Sequence, residues 1–416
     1  MLSLIVAGEA IFGLPFHITR FFRPTVLEVF GLTNTELGIA QAVYGVWAMI
    51  AYFPGGAIAD RFNPRTLLMA SLLTTAAGGF LFATLPDLGT LSLLFGFWGI
   101  TTILLFWASL IRVTREWGGN NGQGKAYGIL DGGRGLLSAV LATAAVLLFS
   151  LFFPDDPAMA TTAERADALT NVIYVYTWAT IAAAVVVWFG VPKESSSSSA
   201  ERQLEGSAWA RISQVVRRPS IWMQATIVIC AYVAFKGLDN LSLFAVQAYG
   251  MNEVEGAQLS SLSAWVRPAA AVGAGFLGDR FRSSRVMHAC FVILIASNLN
   301  FAVSTPNPSA TWVLFLNVII SCVAIFGLRG VYFALFEEAK IPLGITGTAI
   351  GLVSVIGYTP DIFVGPIAGW LLDRTPGVEG HQHVYLVLLA FSALGLFASL
   401  VFPHCAKPAK TPLEPR

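Results

Sequence analysis

The amino-acid sequence predicts an all-α membrane protein with twelve transmembrane helices in two pseudo-symmetric bundles of six. Of its 416 residues, 56% are hydrophobic and only 12% are charged, whereas a soluble chain has about 25% charged residues. Twelve apolar segments each approach the roughly 20 residues that a spanning helix needs. A short motif that follows the second segment also recurs after the eighth, about half a chain later.

The twelve segments are separated by turns such as TLPDLGT and STPNPSA, in which glycine, proline and polar residues interrupt the apolar pattern. The first segment begins almost at Met1 and lacks the basic region and cleavage site of a signal peptide, so no cleavable leader is expected. The predicted helices cover residues 2–28, 35–59, 66–85, 88–111, 126–152, 169–191, 220–248, 257–279, 286–305, 310–336, 344–372 and 383–403.

The lysine and arginine residues of the loops lie almost entirely on one side of the predicted membrane. Cytoplasmic loops are enriched in these residues, so both termini are expected in the cytoplasm and the protein in a cell membrane, here a bacterial inner membrane. The loops on the opposite side carry only Arg165 and Arg374. The predicted cytoplasmic loops and tail carry Arg61, Arg65, Arg112, Arg115, Lys125, Lys193, Arg202, Arg211, Arg217, Arg218, Arg280, Arg282, Arg285, Lys340, Lys407, Lys410 and Arg416.

One long loop divides the chain into two domains. The stretch KESSSSSAERQLEGSAWARISQVVRRP, residues 193–219, contains a serine run typical of a flexible linker. It separates an N-terminal bundle at 1–192 from a C-terminal bundle and short tail at 220–416. Within the linker, WARISQVV is predicted to form a short amphipathic helix on the cytoplasmic surface.

A repeated motif links the two halves. GGAIADRFNPR, at Gly55–Arg65, follows the second helix, and GFLGDRFRSSR, at Gly275–Arg285, follows the eighth. Glycine permits close helix contact, and aspartate can cap the next helix and pair with arginine. We therefore predict a latch that forms and breaks as the halves move. Its residues are Gly56, Asp60, Arg61, Arg65, Gly275, Asp279 and Arg280.

The pattern G-x-x-x-D-R-x-x-x-R, its repeat, the twelve helices and the central loop resemble the major facilitator superfamily. The resemblance implies two six-helix bundles around a central cavity and transport by rocking of the two halves. Asp60–Arg65 also matches the D-R-x-N-P-R form of the organophosphate:phosphate antiporter branch, as does the GLTNTELG turn at Gly31–Gly38. The string REWGGNNGQGKAYGILDGGRGL is similar to that of uncharacterised bacterial porters near this branch.

The antiporter branch binds phosphate between an arginine of helix 1 and an arginine of helix 7, with a histidine on helix 5. In this sequence Arg20 or Arg23 can supply the first group. Helix 7 has Lys236 instead of arginine, and helix 5 has Arg134 near the place of the histidine. The resemblance therefore implies a cationic site, but these departures weaken the inference that phosphate is the substrate.

Six basic residues lie within predicted helices, where each costs about 2.5–3.5 kcal/mol at the membrane centre. Such residues normally face the bundle interior or a water-filled cavity, so they are candidate substrate ligands. An arginine can bind a phosphate, sulfonate or carboxylate through two parallel hydrogen bonds. The candidates are Arg20, Arg23, Arg134, Lys236, Arg267 and Arg329, together with the aromatic residues Tyr44 and Tyr358.

Two carboxylates lie three residues from a helix cation and share its helix face. Asp131 precedes Arg134, and Asp239 follows Lys236. Each aspartate is predicted to act as a counter-ion or proton carrier, with a permanent structural ion pair as the alternative. Glu9 is expected near the inner end of helix 1.

Arg267 precedes Pro268, so it is expected either to face the cavity or to satisfy carbonyls that the proline frees. Arg329 is expected to bind substrate or to pair with Glu337 or Glu338. Arg20 and Arg23 have the further alternative of reaching the outer membrane interface.

These observations predict a secondary active transporter of a small organic anion, such as a sugar phosphate, a sulfonate or a sugar acid. Its partners are the lipid bilayer and either a co-transported proton or a counter-transported anion, and a monomer is expected to be functional. An exporter of hydrophobic or cationic compounds, and a non-transporting membrane sensor, are the alternatives. No catalytic or metal-binding pattern, cofactor motif or basic face for nucleic acid is present, so no enzyme, metal or cofactor is expected.

Overall fold

The computed structural model describes residues 1–119, 123–153, 159–192 and 208–406. Within these ranges it describes the backbone but not the side chains of residues 60, 123–125, 208–211 and 343–344. Most of the predicted linker and the C-terminal tail therefore lie outside the described residues, including the cations Lys193, Arg202, Lys407, Lys410 and Arg416. The predicted amphipathic helix is present at Ala208–Val216.

Twelve long helices follow one another in the described part of the chain, as predicted. Eleven are long and apolar enough to span a membrane. The other, α8, has two glutamates in its first turn and an arginine and a proline in its middle, which lower its hydropathy. The helices are α1 Leu2–Phe21, α2 Asn34–Arg61, α3 Pro64–Phe82, α4 Leu88–Gly118, α5 Gln123–Leu151, α6 Thr162–Gly190, α7 Pro219–Tyr249, α8 Glu253–Phe281, α9 Ser283–Val303, α10 Pro308–Glu338, α11 Leu343–Arg374 and α12 Val378–Cys405.

Local sequence signals determine where several helices begin and end. Three begin with a capping box, in which a polar side chain and a glutamate three residues later each bond the other's backbone N–H. These boxes start at Thr33 for α2, Thr161 for α6 and Asn252 for α8. α1 breaks at Phe22 and continues as a short helix, Arg23–Phe30, which ends at Gly31 with φ 61°. Only glycine adopts that left-handed conformation readily.

Each set of six helices buries an apolar core. In the N-terminal half, Trp98, Phe95 and Phe149 are fully buried, and Phe244 and Phe291 are fully buried in the C-terminal half. The halves meet where α2 packs along the Pro360–Arg374 part of α11 and where α5 packs along α8. Each half therefore buries an apolar core, and the two halves share a long interface.

One end of the bundle holds the halves together. The end of the bundle at which α2 and α8 terminate is here named the basic face. The other end is named the opposite face. At the opposite face, a Cβ on Gly38 of α2 would clash with the backbone of Gly365 in α11. The carboxylate of Asp373 in α11 accepts hydrogen bonds from the backbone N–H groups of Asn34 and Thr35, at 3.0 and 2.7 Å. An aspartate of one half therefore caps the first turn of a helix in the other half.

A second contact closes the opposite face. The guanidinium of Arg165 in α6 lies 3.3 Å from the Glu28 carboxylate and 2.9 Å from that of Glu253 in α8. Glu28 belongs to the same half as Arg165, whereas Glu253 is the first residue of α8 in the other half. Arg165 therefore forms an ionic link across the interface on the side away from the basic loops.

The halves separate towards the basic face. A Cβ added at Gly56, Gly132 or Gly275 would have no neighbour within 4 Å, and Phe53 and Phe276 are 75% and 73% exposed. We predicted that Gly56 and Gly275 permit close helix contact when the latch is closed; neither glycine makes such a contact in the present conformation. The space between the halves therefore opens towards the basic face and is closed at the opposite face.

The predicted latch residues lie at this open end. Asp279 is exposed and forms no ion pair with any described residue. Arg280 stacks on Phe281, and Arg65 stacks on Trp188 at 3.9 Å. Arg61 is exposed, and the side chain of Asp60 lies outside the described residues. The Asp279–Arg280 end of the latch is thus open in this conformation, and its closure stays a prediction.

Candidate substrate site

A cavity of about 150 Å³ lies between the two halves. Both halves contribute to its wall, through α1, α2, α4 and α5 on one side and α7, α8, α10 and α11 on the other. The lining is a mixture of charged and aromatic side chains. It consists of Glu9, Phe12, Phe16, His17, Arg20, Tyr44, Gly45, Ala48, Met49, Tyr52, Trp107, Arg134, Ser138, Tyr232, Phe235, Lys236, Arg267, Arg329, Val355, Tyr358 and Asp361.

Irregular turns in the lining helices position several of these side chains. α1 is π-helical over Gly13–His17, around Pro15, and α4 is π-helical over Thr101–Trp107. α7 contains a 3₁₀ turn at Leu238–Asn240. α11 is interrupted between Gly357 and Pro360, where Tyr358 and Asp361 reach the cavity. Such interruptions are tolerated in a membrane where the freed backbone lines a cavity.

The first charged group, which we call the Glu9 cluster, consists of Glu9, His17, Asp131, Arg134 and Arg267. The Glu9 carboxylate lies 3.3 Å from His17 Nε2, 3.5 Å from Arg134 Nε and 3.8 Å from Arg267 Nη1. Arg134 Nε also donates to the carbonyl oxygen of Gly8 at 2.9 Å. Arg267 Nη2 donates to Asp131 at 3.0 Å. Because Arg267 belongs to α8, this cluster joins the two halves.

The second group, which we call the Asp239 cluster, consists of Arg20, Tyr232, Lys236, Asp239 and Asp361. Asp239 accepts from Arg20 Nε at 2.6 Å and lies 2.6 Å from Lys236 Nζ. Lys236 also lies 3.4 Å from Asp361, which accepts from the Tyr232 hydroxyl at 3.0 Å. Arg20 comes from α1 and the others from the C-terminal half, so this cluster also crosses the interface.

The two clusters contain equal numbers of cationic and anionic side chains when His17 is neutral. Arg134 and Arg267 balance Glu9 and Asp131, and Arg20 and Lys236 balance Asp239 and Asp361. Arg329 belongs to neither cluster. Its guanidinium lies over the rings of Phe235, at 4.2 Å, and Tyr232, at 5.7 Å.

Among the described residues Arg329 has no carboxylate within ion-pair distance, and its buried Nη1 atom has no hydrogen-bond partner. A buried guanidinium nitrogen without an acceptor is costly. The two clusters and Arg329 together therefore carry one cation in excess.

Seven of the eight predicted substrate ligands line the cavity. They are Arg20, Tyr44, Arg134, Lys236, Arg267, Arg329 and Tyr358. The eighth, Arg23, is buried outside the cavity, where its Nη2 donates to the Asn34 side chain at 3.3 Å. Of the two arginines that the sequence left open, Arg20 is the one that reaches the cavity.

Two predicted pairings are wrong. Asp131 pairs with Arg267 and not with Arg134, because Arg134 turns towards α1 and contacts Gly8 and Glu9. Arg329 does not pair with Glu337 or Glu338. Glu338 instead accepts from the backbone N–H and the hydroxyl of Ser284, at the start of α9. The pairing of Lys236 with Asp239 is confirmed, at 2.6 Å.

Sequence reasoning missed three charged or titratable residues of the site. Glu9 was expected near the inner end of α1, but it lies in the cavity wall and is 2% exposed. His17 and Asp361 line the same cavity. The available signal was their position inside otherwise apolar helices, the same signal that identifies the cations of the site. No group of residues able to hold a metal ion occurs in the described part of the chain.

Comparison with known proteins agrees with this architecture. The chain is 27% identical over 391 residues to the inner membrane protein YqcE of Escherichia coli (strain K12), covering 93% of this chain and 89% of the relative. It is 25% identical over 419 residues to the inner membrane protein YihN of the same organism, covering 96% and 93%.

A solved structure has the same fold. The inward-facing and occupied conformation of a bacterial homolog to the human lysosomal transporter Spinster matches with a TM-score of 0.76 at 14% sequence identity. The match covers 99% of this chain and 97% of that chain. At this identity the similarity supports the fold alone.

A family model described as Major Facilitator Superfamily matches residues 5–340. This range includes the whole N-terminal bundle, the linker and the first four helices of the C-terminal bundle. The chain therefore belongs to the major facilitator superfamily, and it is a multi-pass membrane transporter and not an enzyme.

Proposed function

We propose that this protein is a secondary active transporter of a small organic anion and that Arg329 binds the anionic group. The observation that carries the proposal is the excess cation in the cavity. Every other charged side chain in the wall lies within an ion-pair distance of a partner, whereas Arg329 has only aromatic neighbours and an unpartnered nitrogen. An anion beside Arg329 neutralises the charge that the two clusters leave unbalanced.

The charge balance favours a substrate with a single negative charge. A carboxylate or sulfonate group supplies one charge and two or three oxygens, and a planar guanidinium can bind two of those oxygens at once. A phosphate monoester carries up to about two charges at neutral pH, so it requires a further cation from the wall. The match of Asp60–Arg65 to the organophosphate:phosphate antiporter branch keeps phosphate esters among the candidates, together with sulfonates and sugar acids.

The remainder of the cavity suits a compact polar molecule with an apolar face. Phe16 and Tyr44 contact each other edge to face at 4.7 Å, and Tyr232 and Tyr358 do so at 4.9 Å. The Tyr358 hydroxyl lies 3.3 Å from that of Tyr332. Aromatic faces pack against the C–H face of a sugar ring, and phenolic hydroxyls bind its hydroxyl groups.

The ion clusters suggest how the anion is coupled to movement of the halves. Arg20 reaches Asp239 and Arg267 reaches Asp131 and Glu9 across the interface. An anion that takes a hydrogen bond from either arginine competes with these carboxylates. Binding therefore redistributes the ionic contacts that join the halves, as alternating access requires of a substrate.

The same contacts disfavour the export of cationic compounds. A cation requires an available carboxylate in the wall, but Glu9, Asp131, Asp239 and Asp361 each lie within 4.0 Å of an arginine or lysine nitrogen. Binding a cation at any of them would leave a buried arginine or lysine without its partner, which is costly.

The proposal is tested by thermal stabilisation of the purified protein with glucuronate, isethionate and glycerol phosphate, and with glucose as the neutral probe. A ligand of the folded state raises the unfolding temperature by mass action. We expect at least one anion to stabilise the wild type and Arg329→Ala to bind it about a hundredfold more weakly. Arg374→Ala removes an exposed arginine outside the cavity and should bind like the wild type. Stabilisation by glucose alone, or equal anion binding by Arg329→Ala, would contradict the proposal.

A further inference from the structure

We propose that His17 is the proton-binding group of this transporter and that it takes up a proton when the anion binds. The inference rests on the proposed function, because it concerns the same cavity. Within the described residues His17 is the histidine in the cavity wall. Imidazole is the side chain that ordinarily changes charge between pH 5 and 8.

The surroundings of His17 accommodate both its neutral and its protonated form. On its own helix Glu9 lies 3.3 Å from Nε2. From α5, the Ser138 hydroxyl lies 3.4 Å from Nε2, and from α6, the Tyr176 hydroxyl lies 3.3 Å from Nδ1. A phenolic hydroxyl both donates and accepts. It can donate to Nδ1 of the neutral ring or accept from Nδ1–H of the imidazolium, so the ring need not turn when the proton arrives.

The charged groups that contact Glu9 explain why the proton goes to His17. Arg134 of α5 and Arg267 of α8 lie 3.5 and 3.8 Å from the Glu9 carboxylate that faces His17. Two nearby guanidinium groups keep that carboxylate ionised. Its charge in turn favours the imidazolium, whereas the two arginines oppose it. The protonation of His17 therefore depends on how strongly Arg134 and Arg267 remain engaged with Glu9.

An entering anion changes this balance in one direction. Arg134 and Arg267 both line the cavity, so an anion that binds either of them draws it from Glu9 and adds a negative charge nearby. Glu9 is then left with His17 as its remaining close partner. Both effects favour addition of a proton from solution to Nδ1, which yields an imidazolium paired with Glu9. Anion and proton binding are consequently cooperative, as proton–anion symport requires.

The experiment measures the number of protons taken up as the anion binds. Calorimetric titrations of the wild type with glucuronate, isethionate and glycerol phosphate are run at several near-neutral pH values, each in Bis-Tris and in Tris, two amine buffers whose ionisation enthalpies differ. For an anion that binds, we expect uptake approaching about one proton and an affinity that rises up to about tenfold for each unit that the pH falls. His17→Gln keeps a donor towards Glu9 but cannot take up a proton, so it should bind the anion with no uptake.

Two further variants separate this role from a structural one. His288→Gln changes a histidine that bonds the Ser399 carbonyl away from the cavity, and it should take up protons like the wild type. Tyr176→Phe removes the hydroxyl that accepts from Nδ1–H. Because its bond from the imidazolium is charge-assisted and stronger than the bond it donates to the neutral ring, half-maximal uptake should move to lower pH. This variant tests the inference even if His17→Gln fails to fold.

The outcomes distinguish this inference from the proposed function. Anion binding by the wild type without proton uptake, or equal uptake by His17→Gln, would overturn the inference and leave the anion site in place. Failure of all three anions to bind would overturn the proposed function and, with it, the inference.

Discussion

Replacing Asp239 with asparagine is expected to lower the free energy of unfolding by about 3–5 kcal/mol, the usual cost of removing one partner from a buried ion pair. Asp239 is 6% exposed, and its carboxylate lies 2.6 Å from both Arg20 Nε and Lys236 Nζ. Asparagine cannot neutralise either cation. Arg20 also loses its ionic contact with the C-terminal half, so the change weakens one of the two clusters that join the halves.

The free energy of unfolding is measured by thermal and denaturant unfolding of the purified wild type, Asp239→Asn and the control variant Asp279→Asn. Asp279 is an exposed carboxylate at the basic face, and its loss should change stability by less than about 0.5 kcal/mol. Adding Lys236→Met to Asp239→Asn restores the charge balance of the cluster and should recover part of the loss. Equal stability of Asp239→Asn and the wild type would show that the cluster does not stabilise the fold.

Glu9→Gln is the second change with a large expected effect. Glu9 is 2% exposed and lies within 4.0 Å of Arg134, Arg267 and His17. Its removal leaves Arg134 without a carboxylate within ion-pair distance and Arg267 with Asp131 alone. A loss of about 3–5 kcal/mol in the free energy of unfolding is therefore expected without anion. The freed arginines should then bind an added anion at least about tenfold more tightly than in the wild type.

The two effects of Glu9→Gln have opposite signs and can be measured together. Unfolding temperature is recorded with increasing isethionate for the wild type, Glu9→Gln and Glu379→Gln. Glu379 is an exposed glutamate in the first turn of α12, and its variant should follow the wild type throughout. A Glu9→Gln protein that is as stable as the wild type without anion, or that gains no more from isethionate, would contradict the arrangement of the cluster.

The helices of this protein could be predicted from the sequence because hydropathy is a property of each segment alone. The limits of α2, at Asn34–Arg61, and α7, at Pro219–Tyr249, agree with the sequence to within two residues. α6 begins at Thr162, several residues before the predicted start. Its first turns carry the polar residues Glu164 and Arg165. A prediction based on hydropathy therefore misses this part of the helix, which extends beyond the apolar segment.

The location of the cations could be predicted, but their partners could not. A charge inside an apolar helix must reach an interior or a cavity, and this argument places Arg20, Arg134 and Lys236 correctly. A three-residue spacing shows only that two side chains share a helix face. Lys236 and Asp239 pair, whereas Arg134 turns to Glu9 on another helix. Contacts between helices depend on the packing of the bundle, which no single segment encodes.

The contact that closes the opposite face also could not be predicted from the sequence. Asp373 reads as one more acidic residue near the end of α11, followed by Arg374. In the fold its carboxylate caps α2 by bonding Asn34 and Thr35, which lie more than three hundred residues earlier in the chain. The predicted latch at Asp279 is open, while this unforeseen contact holds the other end closed. The sequence motif thus predicts a contact between the halves in another state, but it does not show which state the fold adopts.

The most direct test of the anion proposal is uptake of radiolabelled anion by proteoliposomes that contain the wild type, Arg329→Ala or Arg374→Ala. The anion is the one among glucuronate, isethionate and glycerol phosphate that most stabilises the wild type. We predict that the wild type and Arg374→Ala exchange external label for internal unlabelled anion, and that Arg329→Ala takes up no more than empty liposomes. Equal uptake by Arg329→Ala and the wild type would contradict the assignment of Arg329 as the anion-binding residue.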